Sequence, residues 1–270
     1  MLDIGGSLPV ISTDVPDDEE LVQKWLDDLF SLNSIVAAEN EPLAGNLFYR
    51  HRQEGFVDLP PDPVYRAKRD RVRAAVRKSH RMLEIGVNGG HSAFLALTAN
   101  PHLEFHGVDI CEHSYVEPAV AWLEREFPGR VEFYRGDSLR AVPSLTASGL
   151  EFDLFHIDGA KFNYYDDIVN CSRAVVRAGA LVVVDDAETM AARVALASLA
   201  VFGVIKPVAE FPSMSGSDPN RNEIKTVLPT SRRKAAALKG YSRVLTLARR
   251  AKALRWHETE WARAHRRKAF

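Results

Sequence analysis

The sequence predicts a doubly wound α/β fold, a mostly parallel sheet of seven strands with helices on both faces. Three observations predict it. Short apolar runs alternate with segments of helical periodicity from about residue 66 to residue 230. A glycine-rich turn, Glu84 to Ser92, follows the first of these runs. Acidic residues follow several later runs, at the points where a parallel sheet exposes the carboxyl ends of its strands.

The hydrophobic period places the elements in order along the chain. A first helix carries apolar residues on one face: Leu21, Trp25, Leu29, Leu32 and Val36. A proline-rich loop follows at 53–64. The predicted strands are 81–86, 103–109, 131–136, 152–157, 180–185, 203–210 and 222–228. One predicted helix, 66–79, precedes the first strand. The predicted helices between the strands are 92–99, 116–127, 139–147, 164–177 and 190–201.

Length and charge divide the chain into three parts. A chain of 270 residues suits one domain with appendages. We expect an N-terminal helical segment over 1–65, a core over 66–230 and a basic helical tail over 231–270. Residues 1–45 hold ten acidic residues and one basic residue, whereas residues 231–270 hold thirteen Lys or Arg and two acids. The tail is interpreted as an amphipathic docking helix that favours a homodimer.

Composition excludes several classes of partner and location. The formal net charge is −1, and no nucleic-acid-binding motif accompanies the basic tail, so nucleic acid is not an expected partner. The first twenty residues lack the pattern of a signal peptide, and no run approaches the ~20 apolar residues of a membrane span. Cys111 and Cys171 are the only cysteines and form no disulfide framework. A cytoplasmic location is therefore predicted, with no membrane partner.

Polar and small residues at the first three strand ends predict a site for an adenosine-containing cofactor. Glycines at 86 and 90 let the backbone approach a ligand, and the next helix, which begins near Ser92, favours a carboxylate at its N-terminus. Asp109 can accept hydrogen bonds from both ribose hydroxyls, and Asp137 with Ser138 is placed to meet an adenine edge. The predicted cofactor-binding residues are Glu84, Gly86, Asn88, Gly90, Ser92, Asp109, Asp137, Ser138 and Asp158.

Acidic residues at the next two strand ends predict a metal site. Neighbouring strands should bring Asp158, Asp185 and Asp186 to one edge of the sheet. Three unpartnered carboxylates repel one another, and a hard divalent cation such as Mg²⁺ removes that repulsion while keeping waters and substrate oxygens as further ligands. We therefore predict that these three residues bind Mg²⁺ or another divalent cation.

These residues together resemble class I S-adenosylmethionine-dependent methyltransferases over about residues 66–230, which implies a Rossmann-like fold. The spacing Glu-x-Gly-x-x-x-Gly, from Glu84 to Gly90, differs from the Gly-x-Gly-x-x-Gly of dinucleotide-binding folds. Asp158-Gly159-Ala160-Lys161 resembles the Asp-x-x-Lys of the metal-dependent catechol and caffeoyl-CoA O-methyltransferases. Asp185-Asp186 resembles their Asp-Asn, with Asp in place of Asn.

This resemblance implies an enzyme that transfers a methyl group from S-adenosylmethionine to a hydroxyl of a small molecule with vicinal oxygens, such as a catechol. The metal would chelate both oxygens and lower the pKa of the attacking hydroxyl. Lys161 would accept the proton, with Asp158 as the second catalytic residue. In the resembling families the N-terminal segment covers the acceptor pocket, so Phe48, Tyr49, Arg50 and His51 are candidates to contact the acceptor.

Other interpretations of the same residues remain open. The enzyme could be a sugar or natural-product O-methyltransferase of the macrolide-tailoring type, an NAD-dependent oxidoreductase or a non-catalytic cofactor-binding module. Lys161 could form a surface salt bridge with Asp158 or Asp166, and Asp185-Asp186 could cap a helix. His156 lies inside an apolar strand and is interpreted as a core histidine with a hydrogen-bond partner.

Overall fold

The computed structural model describes residues 18–176, 179–214 and 221–243. Its strands are β1 (Arg81–Ile85), β2 (Glu104–Asp109), β3 (Val131–Arg135), β4 (Leu154–Ile157), β5 (Ala180–Val184), β6 (Ile205–Pro207) and β7 (Glu223–Val227). Its helices are α1 (Asp18–Ala38), α2 (Arg66–Val76), α3 (His91–Ala99), α4 (Val116–Glu126), α5 (Ser138–Ala147), α6 (Tyr164–Cys171) and α7 (Met190–Val201). Two short 3₁₀ helices span Pro63–Tyr65 and Lys161–Asn163, and residues 232–243 are helical.

The seven strands form one sheet in the order β3-β2-β1-β4-β5-β7-β6. Strands β1 to β5 are parallel to one another, and β7 pairs antiparallel with both β5 and β6. The strand order reverses between β1 and β4, and such a switch point opens a crevice at the carboxyl ends of the strands. The predicted doubly wound, mostly parallel fold is confirmed.

Several predicted elements are shorter than expected, among them the helix predicted at 66–79, which ends at Val76. Two of the differences have a clear local reason. Helix α6 ends at Cys171 rather than at 177 because the following chain hydrogen-bonds to Phe152: Phe152 N donates to Ala174 O, and Val176 N donates to Phe152 O. Strand β6 ends at Pro207 rather than at 210. A proline has no N–H to donate to a strand ladder, which confines it to edge positions such as this one.

Helix α1 is part of the hydrophobic core. Trp25, Leu29, Leu32 and Val36 are buried, as the period of this segment predicts, and the Trp25 ring lies 5.8 Å from the Phe94 ring of α3. Burying a side chain of this size contributes about 1.5–3 kcal/mol. The side chain of Leu21 lies outside the described residues. The N-terminal segment thus packs onto the layer of helices that covers one face of the sheet.

The predicted tail helix is seen in part. Residues 232–243 are helical, with Ala235 and Leu238 buried, and the remainder of the predicted helix, 244–270, lies outside the described residues. Within the described ranges, no helix combines the length and the apolar character that a membrane crossing requires.

Candidate active site

A cleft of about 320 Å³ opens at the carboxyl ends of β1, β2 and β4. Such a volume lies at the lower end of the ~300–1,000 Å³ typical of small-molecule sites. Six of the nine predicted cofactor-binding residues line this cofactor cleft: Gly86, Asn88, Asp109, Asp137, Ser138 and Asp158. The loop that follows Asp109 contributes further lining residues that the sequence analysis did not single out, among them Ile110, Glu112 and His113.

Asp109 joins the two loops that form the cleft. One carboxylate oxygen accepts from Asn88 N at 2.9 Å, and the other accepts from Cys111 N at 2.7 Å. Asn88 and Cys111 both have left-handed backbones, with φ of 52° and 58°. A carboxylate has about four lone-pair sites, so Asp109 retains acceptor capacity for a hydroxyl pair in the cleft.

Asp137 and Ser138 lie at the start of α5, on the opposite wall of the cleft. Asp137 caps this helix by accepting from Leu139 N at 2.9 Å. The Ser138 hydroxyl donates to the buried Asp167 at 2.7 Å, and burial raises the pKa of Asp167 to about 7 despite this bond. Both residues therefore have structural partners in addition to their position in the cleft.

Two of the three glycines of the turn, Gly86 and Gly90, are required by contacts within the protein. Gly86 has φ +92°, and a Cβ there would lie 2.7 Å from the backbone oxygen of Asp158. Gly90 has φ +76°, and a Cβ there would lie 2.9 Å from Leu123 of α4. Gly86 borders the cleft, whereas Gly90 and the buried Ser92 are not among its lining residues. The close approach expected between Gly90 and a ligand is instead an approach between α3 and α4.

Glu84 is also absent from the lining of the cleft. It is fully buried next to His156, its register partner on β4, and its carboxylate lies 2.5 Å from His156 Nδ1. Burial is the largest influence and opposes the charged imidazole, but the hydrogen bond to Glu84 and the charges of Glu84, Asp185 and Asp158 together outweigh burial and raise the pKa of His156. The prediction that His156 is a core histidine with a partner agrees with this pair.

A second cavity of about 350 Å³, here named the polar pocket, adjoins the cofactor cleft. Its lining residues are Ala44, Gly45, Asn46, His51, Tyr65, Lys68, Asn88, Asp158, Lys161, Asp185 and Asp186. Asn88 and Asp158 line both cavities, so the two meet at these side chains. All four of the predicted residues Asp158, Lys161, Asp185 and Asp186 are therefore brought together.

The N-terminal segment forms one wall of the polar pocket, as expected, but only partly through the predicted residues. His51 lines the pocket. Phe48 and Tyr49 are buried in the core, and Arg50 forms a surface ion pair with Asp62 at 3.0 Å. Aromatic rings in this segment therefore stabilise the fold, whereas the chain on either side of them faces the pocket.

Two lysines contact the three carboxylates of the polar pocket. Lys161 Nζ lies 3.0 Å from Asp158 and 2.7 Å from Asp186. Lys68 Nζ, from α2, lies 2.5 Å from Asp185, and these two side chains are only 5% and 3% exposed. Asp186 holds its position with a left-handed φ of 46°, which Asp and Asn tolerate better than most residues.

The pKa values of both Asp158 and Lys161 are raised in the pocket, with different consequences for proton transfer. Burial, and next the charge of Asp185, raise the pKa of Asp158 to about 7. Burial disfavours a charged Lys161, but Asp158 and Asp186 outweigh burial and raise the pKa of the ammonium above its usual value. Lys161 is therefore a cation at neutral pH, which does not suit the predicted role of proton acceptor. Asp158 has the more suitable pKa for that role.

The residues present do not fit a resident divalent cation. Each of the three predicted ligands, Asp158, Asp185 and Asp186, already contacts a lysine ammonium. Within the described ranges, no group of three or more His, Cys, Asp or Glu side chains has an arrangement that could hold a metal ion. We therefore derive no catalytic step through a metal.

Lys68 is the residue of this site that the sequence analysis missed. The segment 66–79 was interpreted as a basic helix, but only Arg66, Arg77 and Lys78 of its cations are exposed, whereas Lys68 and Arg69 are buried. One signal was present in the sequence. Lys68 shares the helical face of Val72, Ala75 and Val76, which are buried, so its side chain had to enter the interior.

Comparison with known proteins agrees with the fold and the cleft. Residues 83–187 match a family model described as a methyltransferase domain. An O-methyltransferase from Bacillus cereus in complex with SAH superposes with a TM-score of 0.58 and 17% identity over 80% of this chain and 93% of that chain. A search of curated proteins found no match.

Two further solved structures are similar. Cofactor-bound Rv0187 from MTB has a TM-score of 0.56 and 20% identity over 82% of this chain and 100% of that chain. TomG from Streptomyces achromogenes, an O-methyltransferase involved in tomaymycin synthesis and in complex with SAM, has a TM-score of 0.53 and 21% identity over 80% of this chain and 100% of that chain.

The strand order and the cleft at the switch point are those of a Rossmann-like fold, and residues 83–187 match a methyltransferase domain. The predicted resemblance to class I S-adenosylmethionine-dependent methyltransferases is confirmed. The matched range, residues 83–187, contains β2 to β5, most of β1 and all of the residues that line the cofactor cleft.

Proposed function

We propose that this protein transfers a methyl group from S-adenosylmethionine to a hydroxyl of a small molecule that binds in the polar pocket. The observation that carries the proposal is the junction at Asp158. This carboxyl lines both the cofactor cleft and the polar pocket, so a methyl donor on one side and an acceptor on the other would meet beside it.

S-adenosylmethionine supplies a methyl group on a positively charged sulfur. Asp158 would take the proton of the acceptor hydroxyl. The oxygen of that hydroxyl would form the new bond to the methyl carbon while the carbon–sulfur bond breaks and the sulfur leaves as a neutral thioether. The Lys161 ammonium, 3.0 Å from Asp158, offsets the negative charge that develops on the acceptor oxygen. Asp109 and Asn88 line the cleft and would orient the donor there, and positioning of this kind supplies much of the rate in displacement reactions.

The acceptor class is the finer part of the proposal. A catechol-like acceptor was predicted because a metal ion would chelate two adjacent oxygens, and the lysine contacts remove that argument. The pocket is mainly polar and has ammonium and carboxylate groups on its walls, which suits an acceptor with several hydroxyls. Both the vicinal diol of a catechol and that of a sugar or other natural product have this chemistry.

Calorimetric titration with S-adenosylmethionine tests the donor, and a panel of catechols, glycosides and monohydroxy controls, read by mass spectrometry, tests the acceptor. We expect binding of the donor and a gain of one methyl group on a hydroxyl. Asp158→Asn should abolish transfer but keep the fold. The exposed Asp70→Asn, which changes a surface carboxylate on α2 in the same way, is the matched control and should remain active. Absence of donor binding would remove the proposal.

Association and location remain predictions. We expect a homodimer, which light scattering on the purified protein would test, and a cytoplasmic location, which fractionation would test. A nicotinamide fluorescence titration without response would exclude the oxidoreductase alternative.

A further inference from the structure

We infer that Lys68 is a positioning residue that replaces a divalent cation in this site. Its ammonium pairs with Asp185 on one side of the polar pocket while Lys161 pairs with Asp158 and Asp186 on the other. Together the two ammonium groups carry the charge of one Mg²⁺ and contact all three carboxylates. This inference rests on the proposed function, since the site it describes is the acceptor site of that reaction.

The position of Lys68 is built into the fold. The backbone of Lys68 accepts a hydrogen bond from Asn222, next to β7, and the adjacent Arg71 donates to the same Asn222 side chain at 3.0 Å. On the other side of α2, Arg69 donates to the backbone oxygens of Leu47 and Asp62, both at 2.9 Å. Helix α2 is thereby fixed both to the sheet and to the N-terminal segment, and its lysine is directed at the end of β5.

Burial makes this ion pair difficult to replace. A buried ion that loses its partner suffers a large desolvation penalty, so removing one member of such a pair costs far more than an exposed pair is worth. A metal ion that took Asp185 as a ligand would displace the Lys68 ammonium and leave it buried and unpaired. The ammonium therefore competes with a divalent cation for the same carboxylate, and it has the advantage of being attached to the chain.

The same geometry predicts what happens when the ammonium is removed. A Lys68→Ala protein would retain three carboxylates around an emptied volume, with only Lys161 to offset their charge. Oxygen ligands of this number and charge are what Mg²⁺ and Mn²⁺ require. As they stand, the described carboxylates have no arrangement that could hold a metal ion, but without Lys68 the Asp185 side chain is released from its ion pair and can turn toward a cation shared with Asp158 and Asp186. The variant should therefore acquire the ability to bind a divalent cation.

The experiment measures Mn²⁺ binding by electron paramagnetic resonance and the thermal midpoint with and without millimolar Mg²⁺, on the full-length wild type, Lys68→Ala and Lys68→Arg. Lys78→Ala is the matched control, because Lys78 follows the same helix and pairs with Glu210 on the surface. We expect stoichiometric Mn²⁺ binding and a raised midpoint only for Lys68→Ala. Wild-type donor binding and turnover should not change with chelator, and Lys68→Arg should keep at least about a tenth of the turnover, a loss below 1.4 kcal/mol.

Stoichiometric Mn²⁺ binding by the wild type, lost in Asp185→Asn, would overturn the inference. So would a folded Lys68→Ala protein that gains no response to metal. If Lys68→Ala does not fold, the wild-type protein alone tests the inference: it should bind no Mn²⁺ and should keep its turnover in chelator, and the opposite results would overturn the inference. Because metal binding is read without turnover, the inference can fail while methyl transfer stands, and a failure to bind S-adenosylmethionine would instead remove the proposed function.

Discussion

Replacing Gly86 with alanine tests two reasons for a glycine at this position, the left-handed backbone and the close approach of a neighbouring loop. The backbone has φ +92°, and the added Cβ would lie 2.7 Å from Asp158 O and 2.9 Å from Gly159 N. Gly149 provides the matched control. It has φ +87° after α5, and a Cβ there would have no atom within 4 Å. Both variants therefore place alanine in a similar left-handed backbone conformation at a similar cost in folding free energy. Only in Gly86→Ala does the added Cβ also overlap neighbouring atoms.

The left-handed conformation costs alanine about 1–2 kcal/mol. Alanine also lowers the conformational entropy of the unfolded chain, which stabilises the folded state by about 0.4–1 kcal/mol. This contribution is the same in both variants, so it cancels when they are compared. Ordinary contact begins at 3.4 Å, so Asp158 would have to move by about 0.7 Å in Gly86→Ala. Overpacking of this kind costs a further ~1–3 kcal/mol. Each kcal/mol lowers the midpoint by about 2–4 °C in proteins of roughly this size.

Differential scanning calorimetry of both variants, with kcat/KM for the best acceptor, provides the readout. Gly86→Ala should melt well below Gly149→Ala, and its kcat/KM should fall roughly 100-fold, since a shift of about 1 Å in a reacting group has that effect. Gly149→Ala should keep wild-type kinetics. Equal midpoints for the two variants, or normal turnover in Gly86→Ala, would refute the close approach of β1 and β4 as the reason for this glycine.

Three further predictions concern charge in the two cavities. Because burial raises the pKa of Asp158 to about 7 and the carboxylate is the active form, kcat/KM should rise with pH and level off above about 7; a flat profile would exclude Asp158 as proton acceptor. Because Lys161 lowers the pKa of Asp158, Lys161→Met should move this rise to higher pH; an unmoved rise would contradict their coupling. Asp109→Asn should weaken S-adenosylmethionine binding about tenfold or more in calorimetry, since a hydrogen bond to a charged group contributes about 1.5–3 kcal/mol; an unchanged affinity would show that Asp109 only braces the loops.

The fold was predictable because alternating strands and helices leave a strong periodic signal. The buried parallel strand β5 is a continuous apolar run and β4 is interrupted only by His156, and each is followed by an aspartate. The boundaries were less predictable where long-range hydrogen bonds decide them, as with Phe152 at the end of α6. The sequence near Cys171 has no local pattern that predicts the hydrogen bonds between Phe152 and the chain after α6.

The sequence predicted which residues come together at the site better than it predicted the contacts that each of them makes. The residues at strand ends converge because parallel strands end at one edge, and this needs only their order. The contact of Glu84 could not be predicted, because its partner His156 lies on β4, beside β1 in the sheet but more than seventy residues away along the chain. The partners of the acids could not be predicted either, since Lys68 reaches Asp185 across more than a hundred residues of chain.

The polar pocket and the cofactor cleft come from different parts of the chain. All of the residues that line the cleft lie within 83–187, whereas residues 44–68 supply one wall of the pocket. Changes at His51, which lines the pocket and not the cleft, should therefore alter the choice of acceptor with little effect on the donor site. Changes at Glu41 in the same connection should disturb the cleft, because this carboxylate contacts the cleft-lining His113 at 2.9 Å. For an engineer, the pocket-facing positions of the connection are the place to introduce diversity.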